Sequence, residues 1–245
     1  MKASPREITT NQQDVHDDLT TIVRKYRDSD FKKPVAEHTQ QAFDATLSWL
    51  NATGLGHAEN TALFSGDVII DACCGVGESS LALAQQFPNA KVIGIDKSGA
   101  RLAKHTHYLQ RQNSQKKPID NLMIIQADLN DFWRLMAQHQ ASHSQWRIAK
   151  QCLFYPNPYP KKSQVQKRWH ASPAFPFILA CSKHIELRSN WRLYLEEFQL
   201  ALLEYGVESD IHQVSGSPIT PFERKYSESG QLCWQLQTRP SGDDK

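Results

Sequence analysis

No run in the 245-residue sequence approaches the roughly 18 consecutive apolar residues that a membrane-spanning helix needs. Its start, Met1 to Asn11, is polar and lacks the apolar stretch of a secretory signal. Cysteine supplies no framework either. Cys73, Cys74, Cys152, Cys181 and Cys233 show no paired spacing and no CxxC, so reduced thiols in a cytoplasmic protein, with no metal site, are expected. Internal repeats and low-complexity segments are also absent. Negative charge is missing from one long stretch. Residues 132–185 hold no Asp or Glu, yet carry Arg134, Arg147, Lys150, Lys161, Lys162, Lys167, Arg168 and Lys183. The net charge of +2 is small, but cations without local counter-charge repel one another unless an anion arrives. A phosphate backbone is the expected anion.

What is present is an alternation of strands and helices. Residues 1–12 are polar and expected to fray. Within Asp14 to Arg27, Val15, Leu19, Ile22, Val23 and Tyr26 recur at helical spacing. A second helix is expected from Val35 to Asn51, with Pro34 suited to its first turn and Gly54 lying just beyond its end. Val68-Ile69-Ile70 then forms a buried strand, followed by a helix from about Ser79 to Gln86 and a second strand from Lys91 to Asp96. Next come a helix from Gly99 to Gln112, a strand from Leu122 to Gln126, helix and polar loop over 129–147, and a fourth strand from Ile148 to Tyr155. Phe175–Cys181 and Trp191–Tyr205 are expected to be helical, and Val207–Gln237 to supply two closing strands. This pitch predicts a doubly wound α/β fold, a parallel sheet with helices on both faces. The domain would span residues 61–240, behind an N-terminal helical extension of residues 1–60.

The first strand-to-helix turn carries Gly75 and Gly77, which let backbone pass close under a nucleotide. Asp96 ends the next strand, where an acid would reach ribose hydroxyls. A dinucleotide fingerprint wants a third glycine where Ser80 stands. Two further acids suit a sulfonium cofactor with a free amino group and no phosphate: Asp71 for the ammonium and Asp128 for the adenine amine. The pattern resembles the class I methyltransferase fold, which implies S-adenosylmethionine as cofactor. Cys73 stands where that family's loop usually has another glycine, so a slightly different turn is expected.

After the fourth strand comes Phe154-Tyr155-Pro156-Asn157-Pro158-Tyr159-Pro160-Lys161-Lys162, then Lys167-Arg168. Three prolines at alternate positions stiffen the segment, so it can hold a planar base at a set distance, while the cations track flanking phosphates. The run is similar to the FPDPWPKK…KRR signature of the bacterial tRNA (guanine-N7)-methyltransferase family. Ser189-Asn190-Trp191 with Tyr194, and Thr220-Pro221-Phe222-Glu223, resemble that family's Thr-Asp-Trp…Tyr and Thr-Lys-Phe-Glu. The similarity covers about residues 66–235.

The resemblance implies that Asn157, Asn190, Glu223 and Thr220 frame the base, with the first three nearest the chemistry, and that Lys161, Lys162, Lys167 and Arg168 hold RNA, most naturally tRNA. Asn157 and Asn190 replace two family aspartates. Asn keeps a carbonyl acceptor but loses the charge and brings a donor NH₂. Three functions stay open: methylation of guanine N7, a catalytically weak or inactive RNA-binding relative, and methylation of a small molecule.

Overall fold

A computed structural model describes residues 8–52, 64–105, 119–142 and 145–239. The chain divides into two compact units. The first comprises Met1–Lys32, Leu153–Leu179 and Lys183–Lys245, and the second Lys33–Cys152 with Ala180–Ser182.

The second unit begins with α2 (Glu37–Asn51) and continues through β1 (Asp67–Ala72), α3 (Glu78–Gln86), β2 (Lys91–Asp96), α4 (Gly99–Leu102), β3 (Leu122–Gln126), α5 (Leu129–Ser142) and most of β4 (Arg147–Phe154). Every residue of β2 is buried, as is all of β1 beyond Asp67, which is why both read as continuous apolar runs. β1 pairs parallel with β2, and β2 with β3. Helix α2 packs through Phe43, whose ring centroid lies 5.6 Å from that of Phe132 in α5. Its C-terminus is met by the buried Lys91, whose Nζ donates to the carbonyls of Trp49, Leu50 and Ala52, a cation against the negative end of a helix. The expected continuation of α4 to Gln112 lies mostly outside the described residues.

The first unit holds α1 (Leu19–Arg27), two short 3₁₀ helices (Lys162–Lys167 and Trp169–Ala171), most of α6 (Phe175–Cys181), β5 (Ile185–Ser189), α7 (Arg192–Leu203), β6 (Ser209–Gln213), α8 (Pro221–Glu228) and β7 (Trp234–Thr238). Helix α1 starts later than its periodicity suggested and buries only Leu19 and Val23. Burying each contributes about 2 kcal/mol. The polar start is not frayed throughout, because Gln12 is buried and hydrogen-bonded.

Strand order is β3-β2-β1-β4-β5-β7-β6. β7 runs antiparallel to both β5 and β6, so the sheet is mixed rather than wholly parallel. Strand β5 was not expected from the sequence. No cysteine is in a disulfide, and among the described residues no helix is long and apolar enough to cross a membrane.

Candidate functional site

In the second unit, β1 runs into a turn with three left-handed residues, Cys73 (φ 60°), Gly75 (φ 63°) and Gly77 (φ 76°). Cys73 therefore takes a glycine-type backbone conformation. Such a conformation costs a non-glycine residue about 1 kcal/mol. The two glycines have different reasons to be there. A Cβ on Gly75 would meet nothing within 4 Å, whereas one on Gly77 would fall 2.5 Å from His105 Nδ1. His105 lies 3.2 Å from the Val76 carbonyl, and burial holds its pKa below the ordinary value despite that contact. The close helix-to-strand approach that a third glycine would have allowed is supplied from the other side. A Cβ on Gly94 of β2 would collide with the Ser80 hydroxyl.

Three acids lie at or just beyond the C-terminal ends of β1, β2 and β3. Asp71 is fully buried, and its Oδ2 accepts from the Ser79 and Ser80 hydroxyls, both at 2.6 Å. Asp96 is 2% exposed. Its Oδ2 accepts from the Gly75 N–H (3.0 Å) and Arg101 Nη1 (3.2 Å), and its Oδ1 from the Ser98 N–H (2.8 Å). Asp128 accepts on Oδ1 from the backbone and side-chain nitrogens of Asn130, each at 2.9 Å, which caps the start of α5. Its own N–H donates to Thr39 Oγ1 of α2. This edge is acidic and would repel a pyrophosphate. It could hold a ligand that carries hydroxyls and a cationic amine. Burial, with the charges of Asp71 and Asp96, pushes the Cys74 thiol well above its usual range, so it is not a thiolate.

In the first unit, the proline segment is anchored at its start by the Tyr155 N–H, which donates to the Arg188 carbonyl of β5 at 2.8 Å. Asn157 is exposed, and its Oδ1 accepts from the Tyr159 N–H at 3.2 Å. Asn190 Nδ2 donates to Gln231 Oε1 at 3.0 Å. Thr220 caps α8 by accepting the Glu223 N–H at 3.0 Å. Glu223 is 1% exposed and is engaged by Arg188 Nη1, at 3.0 and 3.2 Å to its two oxygens. Arg188 also pairs with Glu186 at 2.7 Å. Glu223 is thus one end of an acid–arginine–acid triad, and Arg188 and Glu186 were not singled out from the sequence. The signal was present in the alternation Ile185-Glu186-Leu187-Arg188-Ser189.

The carboxylate-free stretch is not uncompensated in space. Arg134 pairs with Asp131 (3.5 Å), Arg147 with Asp67 (2.7 Å), Lys162 with Asp17 (2.5 Å) and Arg168 with Glu197 (2.5 Å). Arg168 is fully buried, so it has no surface to offer a phosphate, contrary to its expected role. Lys161 and Lys167 are exposed and have no carboxylate partner among the described residues.

Residues 65–236 match the family model described as "Putative methyltransferase". A tRNA (guanine-N(7)-)-methyltransferase of Leifsonia xyli subsp. xyli is 24% identical over 177 residues, covering 68% of this chain and 73% of that protein. A second protein of that name, from Mycolicibacterium gilvum, is 29% identical over 101 residues, covering 41% of this chain and 36% of its own length. The solved structure of the 16S rRNA methyltransferase KamB aligns with a TM-score of 0.53 at 15% identity, over 85% of this chain and 97% of that one. At that identity the likeness is one of fold.

Proposed function

Because the chain belongs to the methyltransferase family matched over residues 65–236 and is itself a methyltransferase, we propose that it moves a methyl group from S-adenosylmethionine to an RNA base, with N7 of a guanine in tRNA as acceptor. The carrying observation is the similarity to a tRNA (guanine-N(7)-)-methyltransferase across 68% of the chain. Residues 61–240 are assigned to the methyltransferase domain and residues 1–60 to an N-terminal extension, in a cytoplasmic protein.

S-adenosylmethionine supplies an electrophilic methyl group on a sulfonium. Gly75 and Gly77 would give it backbone clearance, Asp96 would accept from its ribose hydroxyls, Asp71, buried against the Ser79 and Ser80 hydroxyls, would offset its ammonium charge, and Asp128 would accept from its adenine amine. Guanine N7 already presents a lone pair, so no proton has to leave before attack. Catalysis then rests on positioning and electrostatics, which fits a site whose one expected acid, Glu223, is already committed to Arg188. Asn157, Asn190 and Thr220 frame the base. Lys161 and Lys167 hold the flanking phosphates.

The test is titration with S-adenosylmethionine, then transfer of labelled methyl to bulk tRNA, for the wild type and Asp96→Ala. Wild-type protein should bind the cofactor and label RNA, and Asp96→Ala should bind about tenfold more weakly or worse. Label appearing only in small molecules would reject the RNA acceptor. The engagement of Glu223 by Arg188, with Asn157 and Asn190 in place of acids, favours one rival, an RNA-binding relative without turnover. It predicts cofactor binding and salt-sensitive RNA binding with no label transferred.

A further inference from the structure

Arg168, itself fully buried with Glu197 and His170, sits at the centre of a polar network in the first unit. Glu197 of α7 accepts from Arg168 Nη1 (2.5 Å), Gln12 Nε2 (2.6 Å), His170 Nε2 (3.0 Å) and the His16 N–H (3.0 Å). The rest of the guanidinium is spent on the proline segment. Nε and Nη2 donate to the Tyr159 carbonyl (3.2 and 3.0 Å), and Nη2 also reaches the Lys161 carbonyl (3.3 Å) and Gln12 Oε1 (2.9 Å). One guanidinium face lies 4.9 Å from the Trp191 ring centroid. The N-terminal segment adds two direct ties, Thr10 Oγ1 to the Pro160 carbonyl (2.6 Å) and the Lys162 N–H to Asn11 Oδ1 (3.1 Å).

Every backbone carbonyl from Tyr159 to Lys161 is thus gripped by Arg168 or by Thr10. Tyr159 is held at φ 44°, a conformation that costs a non-glycine residue energy and persists only where its surroundings impose it. The N–H of the same Tyr159 donates to Asn157 Oδ1. A continuous path therefore runs from Gln12 and Glu197 through Arg168 and Tyr159 to the carboxamide of Asn157. Stability alone gives little reason for such a network, because well-packed apolar residues often replace a buried ion pair without loss. Geometry gives a reason.

We propose that Arg168, locked by Glu197 and Gln12, is a positioning residue that sets Asn157 toward the acceptor base, and that residues 10–12 belong to the acceptor side of the enzyme. The proposal rests on the RNA methyltransferase function above.

The full-length variants Gln12→Ala and Arg168→Lys test it by two measurements. The first is turnover on tRNA per cofactor-binding site. The second is amide exchange at Tyr159 and Lys162, which needs no activity. Gln12→Ala should lower kcat about tenfold through misplacement of the base, while the cofactor Kd stays within about twofold and the Tyr159 and Lys162 amides exchange about tenfold faster. Arg168→Lys should not rescue, because an ammonium cannot span a carboxylate and two carbonyls as a planar fork does. Unchanged turnover and exchange with a lowered Tm would overturn the proposal and leave the network merely structural. If wild-type protein binds cofactor but labels no RNA, the proposed function fails separately. Unchanged exchange in Gln12→Ala would then still overturn the positioning claim.

Discussion

Asn157 and Asn190 differ in how readily each would accept a carboxylate. Asn157 uses its oxygen, as acceptor of the Tyr159 N–H, and an aspartate keeps that bond. Asn190 uses its nitrogen, as donor to Gln231 Oε1, so an aspartate there requires the Gln231 amide to turn over. A carboxylate at either place can accept from guanine N1–H and the exocyclic amine and offset positive charge developing on the base. Asn157→Asp combined with Asn190→Asp should therefore raise guanine methylation by about tenfold or more, measured as initial rate at saturating cofactor. An unchanged or lower rate would remove electrostatics from the account of these two positions. The cations separate in the same residue-by-residue way. Lys161→Ala and Lys167→Ala should each lower the slope of log affinity against log salt by about one for RNA, whereas Arg168, buried against Glu197, should not be read in that slope. A flat slope in wild-type protein would mean that no phosphate is held.

The turn between β1 and α3 and the strands around it were largely legible, because local chemistry decides them. Continuous apolar runs gave β1, β2 and β3 their places, and Gly75 and Gly77 gave the turn. Strand β5 was missed for an equally physical reason. Its two charged residues, Glu186 and Arg188, interrupt the apolar run that marks the other strands, yet Glu186 is 4% exposed and pairs with Arg188. The pairings of Arg168 with Glu197 and of Glu223 with Arg188, by contrast, join residues distant in sequence, and no local pattern announces them. The turn itself yields a sharp comparison. Gly75→Ala adds only the left-handed penalty of about 1 kcal/mol. Gly77→Ala adds to it an overlap with the His105 ring, a further loss of about 1–3 kcal/mol. Urea unfolding should rank Gly77→Ala well below Gly75→Ala. Equal losses would show that the His105 contact does not matter.

For the whole molecule, the buried Glu197–His170 pair ties stability to pH. Burial works against the charge of Glu197, but hydrogen bonds from His170 and Gln12 and the Arg168 guanidinium outweigh it and hold its carboxyl at about 2, below the usual 4.5. His170 is fully buried, and burial keeps its pKa below 6.5. A neutral ring donating from Nε2 to Glu197 leaves Nδ1 as a bare lone pair, whereas protonation would bury an N–H with no partner among the described residues. Both groups bind protons less readily when folded than when unfolded. The stability each contributes is therefore full above its unfolded value and lost as pH falls through its folded one. The urea midpoint should decline from about pH 6.5 downward and more steeply between 4.5 and 2, with the upper limb weakened in His170→Gln. A midpoint constant down to pH 4 would contradict the buried neutral histidine. The central claim, a methyl group delivered to guanine N7 in RNA, is met most directly by nucleoside analysis of tRNA after incubation with the protein and labelled S-adenosylmethionine. Labelled 7-methylguanosine well above a no-enzyme control is the predicted result. Its absence, in protein that demonstrably binds the cofactor, would contradict the account.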